Sequence, residues 1–253
     1  MSDKPFSDHF SGVATSYAAF RPRYPQALFD WLATLPVRRG AVWDCAAGSG
    51  QATVDLAARF ERVVATDASA VQLAQAPALA NVEYRACPAE ASGLPDGFAD
   101  LVTVAQALHW FDLPRFYAEA DRVLVAGGVL AVWTYGPLHV VDEAAEPVMQ
   151  RCYRDTAGPY WPPERAHVEN GYRDLPFPYP EFATPTFDIE TRWTLEELTG
   201  YVASWSATAR CRELTGRDAA AELVAAMADV WPDPARRSPV RWPLTVRAGR
   251  KPG

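Results

Sequence analysis

The chain has 253 residues, 49% hydrophobic and 22% charged, the make-up of an ordinary folded protein with a sizeable core. No window approaches the roughly 18 uncharged apolar residues of a membrane helix, and the start, MSDKPFSDHF, lacks the basic-then-apolar layout of a signal peptide. Net charge is −7 with lysine only at Lys4 and Lys251, so no basic stripe is available for nucleic acid and the expectation is a cytoplasmic protein with no nucleic-acid or membrane partner.

From residue 38 to 137 apolar runs alternate with amphipathic ones. GAVWD (40–44) reads as a short buried strand and QATVDLAARF (51–60) as a helix. RVVATD (62–67) is a second strand ending in an acid. SAVQLAQAPAL (69–79) is a helix with Ser69 as N-cap, disturbed by Pro77. VEYRAC (82–87) and ADLVTVAQ (99–106) are the third and fourth strands, the latter apolar enough to be buried on both faces. LPRFYAEADRVL (113–124) places Leu113, Phe116, Tyr117, Ala120, Val123 and Leu124 on one helical face, and Gly127-Gly128 turns into a fifth strand, VLAVWTY (129–135).

Residues 137–181, crowded with prolines and aromatics, fit no regular element and read as a packed cover. FATPTFDIETRW (182–193) reads as a strand, TLEELTGYVASWSATARC (194–211) as a helix whose Thr194 and Glu197 have capping-box spacing. RDAAAELVAAMADVW (217–231) is a further helix before the closing strand, VRWPLTVRAGR (240–250). Repeated β-α units of this length imply an α/β fold with a doubly wound, mostly parallel seven-stranded sheet. The expected organisation is a single domain, with core 38–137 plus 182–193 and 239–250 and a helical or irregular lid from 138–181 and 194–236. Ligands bind such sheets beyond the carboxyl ends of the strands, which lines up Asp44, Asp67, Cys87, Gln106 and Tyr135 along one edge.

The turn after the first strand, DCAAGSGQAT, lacks the Gly-Lys-Ser/Thr of a phosphate loop and the G-x-G-x-x-G of a dinucleotide site; its small positions are Ala46, Gly48 and Gly50. Asp67, seventeen positions beyond Gly50, suits ribose hydroxyls, which both NAD and S-adenosylmethionine carry. Asp44 discriminates: beside the loop it repels a pyrophosphate and tolerates an ammonium and a sulfonium.

Together YAAFRPRYP, DCAAGSGQAT, VVATDAS, CPAEASGLP, AQALHWFD, VLVAGGVLAVWTYG and VRWPLTVRAGR resemble, in order and spacing, the class I S-adenosylmethionine-dependent methyltransferases. The likeness is closest to the small-molecule branch around trans-aconitate methyltransferase and spans nearly the whole chain. The resemblance implies that S-adenosyl-L-methionine is the cofactor and S-adenosyl-L-homocysteine its product. It assigns the methionine part to Ala46, Gly48 and Gly50 beside Asp44, the ribose to Asp67, and the adenine to Ala68, Ala89 and Glu90. Gln106 falls beside the methionine moiety, and Tyr17 and Arg21 match a segment that closes over the cofactor. Alanine at 46 departs from the family's usual glycine, which matters if that residue needs positive φ. The closing strand is expected antiparallel beside the sixth.

Methyl transfer from a sulfonium needs alignment more than acid–base help, and a base only when the attacking atom carries a proton. His109 is the candidate catalytic base, or else part of the pocket wall with Trp110. Trp110, Trp133 and Tyr135 are candidate substrate-pocket residues, with Tyr160, Trp161 and Trp205 also able to line a cavity. Arg165, Arg210 and Arg212 are candidate grips for a carboxylate. The four cysteines form no CxxC pair and no histidine pair has metal spacing, so no metal is expected. The expected activity is methylation of a small molecule, with O-methylation of an organic acid favoured by the resemblance. An NAD-dependent oxidoreductase, a non-catalytic S-adenosylmethionine-binding protein and a macromolecular methyltransferase are the rival readings. Oligomeric state is not legible.

Overall fold

The computed structural model describes residues 22–253; Tyr17 and Arg21 lie outside the described residues. Two compact units make up the chain. The sheet unit comprises Arg23–Leu138, Pro163–Glu190 and Trp242–Gly253; the other comprises His139–Pro162 and Thr191–Arg241, with Pro22. The stretch expected as one insertion, 138–181, is thus divided between them.

In the sheet unit, α1 (Gln26–Leu32) precedes β1 (Ala41–Cys45), α2 (Gln51–Ala57), β2 (Arg62–Asp67), the short α3 (Ala70–Leu73), β3 (Val82–Ala86) and β4 (Ala99–Ala105). A 3₁₀ turn at Leu108–Trp110 leads to α4 (Leu113–Val123) and β5 (Leu124–Tyr135). Strands β1–β5 pair in parallel in the order β3-β2-β1-β4-β5. Every residue of β4 but the last is buried, as its unbroken apolar run requires. Helix α4 starts at the Asp112 cap and Pro114 and buries Phe116, Ala120 and Val123, the face read from the sequence. Closing strand β8 (Ser238–Arg250) lies antiparallel to β5 through Leu244–Arg250, and also pairs β7 (Phe187–Trp193).

Several expectations need adjusting. The sheet has eight strands among the described residues, the extra one being β6 (His139–Val140), paired antiparallel with Val240 and Arg241. Strand β5 starts five residues before Val129 because the chain enters it directly from α4. Strand β7 starts at Phe187, not 182; upstream, Glu181 makes only an isolated bridge to Gly249. The supposedly irregular cover contains α5 (Ala145–Arg151), a π turn at Cys152–Thr156, and α6 (Arg165–Glu169).

In the second unit, the helix expected over 194–211 is two, α7 (Leu195–Ala203) and α8 (Ser206–Thr215), followed by α9 (Ala219–Met227). The break has a local cause. The Ser204 hydroxyl donates to the Tyr201 carbonyl, and Trp205 turns extended (φ −70°, ψ 138°) to start α8. The Thr194–Glu197 capping box forms as the sequence predicts.

Candidate functional site

In a doubly wound sheet the crevice opens where strand order reverses, here between the carboxyl ends of β1 and β4. Among the described residues, the non-glycine residues with left-handed backbones are Ala46 (φ 55°), Gln106 (φ 58°) and Tyr172 (φ 61°). Ala46 directly follows β1 and Gln106 directly follows β4. Such conformations cost an L-residue about 1–2 kcal/mol and persist where surrounding contacts enforce them, typically at functional sites.

The loop from Ala46 to Gly50 is held at both ends. The Ala47 amide donates to the Thr66 carbonyl at 2.9 Å and the Gly50 amide to the Ala47 carbonyl at 2.9 Å. Gly50, at φ 81°, caps α2, and a Cβ there would lie 3.2 Å from Ala76 Cβ and 3.3 Å from the Tyr84 hydroxyl. A Cβ on Gly48 would meet nothing within 4 Å, so this part of the loop faces open space. Alanine's methyl at 46 therefore sits in the conformation that favours glycine. Ala46→Gly is expected to relieve that strain while adding unfolded-state entropy of about 0.5–1 kcal/mol. The net change in thermal unfolding should be small and upward; a clear loss would show that the methyl packs usefully.

Asp67 ties the second strand to this loop. Its carboxylate accepts from the Gly48 amide and from the Ser69 amide, each at 2.8 Å. Desolvation raises its pKa, opposed by those two amides. The side chain is half-buried, and a carboxylate offers about four lone-pair positions, so acceptor capacity remains for two ribose hydroxyls. Ala68, next to it, is exposed. Ala89 is half-buried against the core, and Glu90 accepts from the Asp112 amide at 2.9 Å, fastening the loop after β3 to the start of α4.

Asp44, expected to face the ligand, is instead wholly buried. Its two oxygens accept from Thr53 of α2 (2.6 Å) and Thr103 of β4 (2.9 Å). Burial pushes its pKa up to about 6 against these two hydrogen bonds, with the Asp67 charge adding to the rise. Asp44 therefore anchors β1, α2 and β4 together and acts on the loop through its charge. Thr53 and Thr103 escaped the sequence reading because a threonine inside a helix or strand carries no mark of its partner.

Gln106 is fixed to β5. Its amide donates to the Trp133 carbonyl at 2.9 Å, its side-chain nitrogen to the Tyr135 carbonyl at 3.4 Å, and the Thr134 hydroxyl donates to its side-chain oxygen. His109 follows in the 3₁₀ turn, its Nδ1 2.8 Å from the Tyr172 hydroxyl. Burial lowers its pKa to about 3, with the Arg165 and His167 charges pushing the same way. Neutral at physiological pH, it is a weaker proton acceptor than an ordinary imidazole. Tyr172 is 1% exposed, and burial holds its hydroxyl well above the usual phenol range. One local signal points to it: Asn170-Gly171 after α6 is a helix-stop pattern, and Gly171 and Tyr172 both turn left-handed there.

The aromatic candidates separate. Trp110 is 37% exposed and its ring lies 4.6 Å from His109. Trp133 and Tyr135 are buried, with Tyr24 packed edge-on to Trp133 at 5.7 Å. The Trp133 indole nitrogen is buried and meets no hydrogen-bond partner among the described residues. Trp161 and Trp205 pack tilted at 5.3 Å within the second unit, where Arg212 pairs with Asp218.

Residues 43–132 match the family described as methyltransferase domain. A protein of Dictyostelium discoideum carrying the provisional name methyltransferase is 36% identical over 221 residues, covering 86% of this chain and 84% of its own. The solved structure of a provisionally assigned type II methyltransferase from Anaeromyxobacter dehalogenans superposes with a TM-score of 0.87 at 47% identity, covering 92% of this chain and all of that one. An uncharacterised methyltransferase of Mycobacterium tuberculosis is 38% identical over 141 residues, covering 52% of this chain and 54% of its own. The chain is an S-adenosylmethionine-dependent methyltransferase.

This sets aside the oxidoreductase and non-catalytic readings. The methyltransferase's own residues fit its methyl donor: the open side of Gly48, the spare acceptor capacity of Asp67 and the enforced turn at Ala46 all lie on one strand edge. S-adenosylmethionine supplies a methyl group already activated by a positively charged sulfur. The protein's part is to bind, align and exclude water, which is worth on the order of 7–11 kcal/mol of barrier. Among the described residues no cluster of His, Cys, Asp or Glu is arranged for a metal, and no helix is long and apolar enough to cross a membrane.

Proposed function

We propose that this methyltransferase O-methylates a small organic acid. The observation that carries the reading is the pair of basic side chains acting on the His109 ring, Arg165 and His167, each with a carboxylate beside it, Glu169 at 3.9 Å and Asp174 at 2.6 Å. An anionic acceptor is drawn to such a corner, and a protonated amine is repelled. Arg165, singled out in the sequence as a carboxylate grip, sits at the start of α6 and lies 3.9 Å from Glu169, while Arg212 pairs with Asp218. A net charge of −7 speaks against a nucleic-acid acceptor. We place the enzyme in the cytoplasm, where its four cysteines stay thiols.

In this reading Ala46, Gly48, Gly50 and Gln106 hold the methionine part of the donor, Asp67 the ribose, and Ala68, Ala89 and Glu90 the adenine. Trp110, and Trp133 and Tyr135 at the end of β5, shape the acceptor side. A carboxylate attacks as the anion and needs no base, which agrees with a neutral His109. The test is transfer of a labelled methyl group to panels of small acids, phenols and amines. Acids should be methylated. Labelling confined to phenols, amines or macromolecules would overturn the reading.

A further inference from the structure

The hydrogen bond between His109 and Tyr172 has a direction, and the direction decides what the imidazole offers to an acceptor. The Tyr172 hydroxyl is buried, and among the described residues its hydrogen-bond partner is Nδ1 of His109. A buried phenol proton left without an acceptor costs about 1–3 kcal/mol. The Thr134 proton is committed to the Gln106 side-chain oxygen. What remains for the phenol proton is the 2.8 Å contact with Nδ1 of His109. Nδ1 is then an acceptor, and in a neutral ring the proton must sit on Nε2. Nε2 has no partner among the described residues and is not among the buried unpaired atoms, so it is accessible to a ligand.

The tyrosine is itself tightly placed. Its backbone is left-handed at φ 61°, its amide donates to the His167 carbonyl at 2.8 Å, and Arg247 donates to its carbonyl while pairing with Glu181. Such over-determination is what holds a strained residue in place. Nothing in simple core packing requires a phenol to be aimed at an imidazole nitrogen beside the ligand edge.

We propose that Tyr172 is a positioning residue that fixes His109 as the Nε2–H tautomer, and that His109 meets the methyl acceptor as a neutral hydrogen-bond donor. What it donates to rests on the acid reading above: one oxygen of the acceptor carboxylate. The other oxygen gives a lone pair to the new O–C bond as the S–C bond breaks and its electron pair stays on sulfur. No proton is released. A neutral donor suits this step, because an imidazolium would hold back the electron density that must pass to the methyl carbon.

Nitrogen-15 NMR of histidine-labelled enzyme tests this, with His109→Gln identifying the resonance. His109 should show a protonated Nε2 and a bare Nδ1, with no titration between about pH 5 and 8. Tyr172→Phe should give a mixture of tautomers. A protonated Nδ1, or a charged ring at neutral pH, in the unaltered enzyme overturns the proposal even if the tyrosine variant does not fold. In turnover, His109→Gln still offers an N–H and should retain at least tenfold more activity than His109→Ala; equal loss in both would mark a base and refute the donor role. Methylation of phenols but not acids, with the Nε2–H tautomer intact, would overturn the acid reading and leave the Tyr172–His109 arrangement standing.

Discussion

Asp67→Ala is expected to weaken binding of S-adenosylhomocysteine more than a hundredfold. Two hydroxyl donors to one carboxylate, each worth about 1.5–3 kcal/mol, account for a loss of about 3 kcal/mol or more. The loss is amplified because the same carboxylate holds the Gly48 amide at 2.8 Å, so the loop proposed to hold the methionine part also loses its tether. The freed amides belong to half-buried residues, which water can reach, so folding stability should fall far less than affinity. Asp67→Asn, keeping the shape and one oxygen, should lie between. Calorimetry on the folded variants separates the effects, and an unchanged affinity in Asp67→Ala would refute the ribose assignment. Burial raises the Asp67 pKa, so donor affinity should begin to fall at a higher pH than an ordinary aspartate would dictate.

How far this site can be read from sequence depends on how local its causes are. The strand-loop-acid arrangement was legible because an apolar run, a cluster of small residues and a second acid are adjacent signals. So was the buried face of α4, which repeats Phe116, Ala120 and Val123 at helical spacing. The left-handed backbone at Gln106 was not, because glutamine has no preference for it; three hydrogen bonds to β5 impose it. Tyr172 lies 63 positions from His109 and is brought to it only by folding. The short helices at 145–151 and 165–169 were hidden by the prolines and aromatics around them, which signal a break without saying where helix resumes. Asp44 was the more instructive case: its position at the strand end pointed correctly to the loop. Only burial shows that its oxygens are spent on two threonines.

That burial leads to the other large effect. With its pKa pushed up to about 6 from 3.8, Asp44 opposes folding at neutral pH. Below pH 3.8 it is protonated whether the chain is folded or not, and contributes no pH dependence. Between 3.8 and about 6 the unfolded chain has released the proton and the folded chain has kept it, so stability falls as pH rises. Above about 6 both states are ionised and the full penalty, about 3 kcal/mol at some 1.4 kcal/mol per unit, remains. Asp44→Asn should remove this slope and stabilise the enzyme at pH 7 by up to about 2 kcal/mol, less than the penalty because one threonine hydroxyl must reorient to accept from the amide. Asp44→Ala should do the opposite, leaving both hydroxyls buried without their acceptor and a void beside them, at a cost of about 2–4 kcal/mol. Urea titrations of the three proteins between pH 4 and 7 read the difference directly, and a slope that survives in Asp44→Asn would refute the shifted aspartate. A charge kept at such a cost has a use under the loop. At an effective dielectric near 20, a carboxylate this close to the loop favours a bound cation by about 1–2 kcal/mol. S-adenosylmethionine carries one more positive charge than its product, so Asp44→Asn should weaken the donor about tenfold more than S-adenosylhomocysteine. Equal losses for the two ligands would mean that the buried carboxylate only braces the strands.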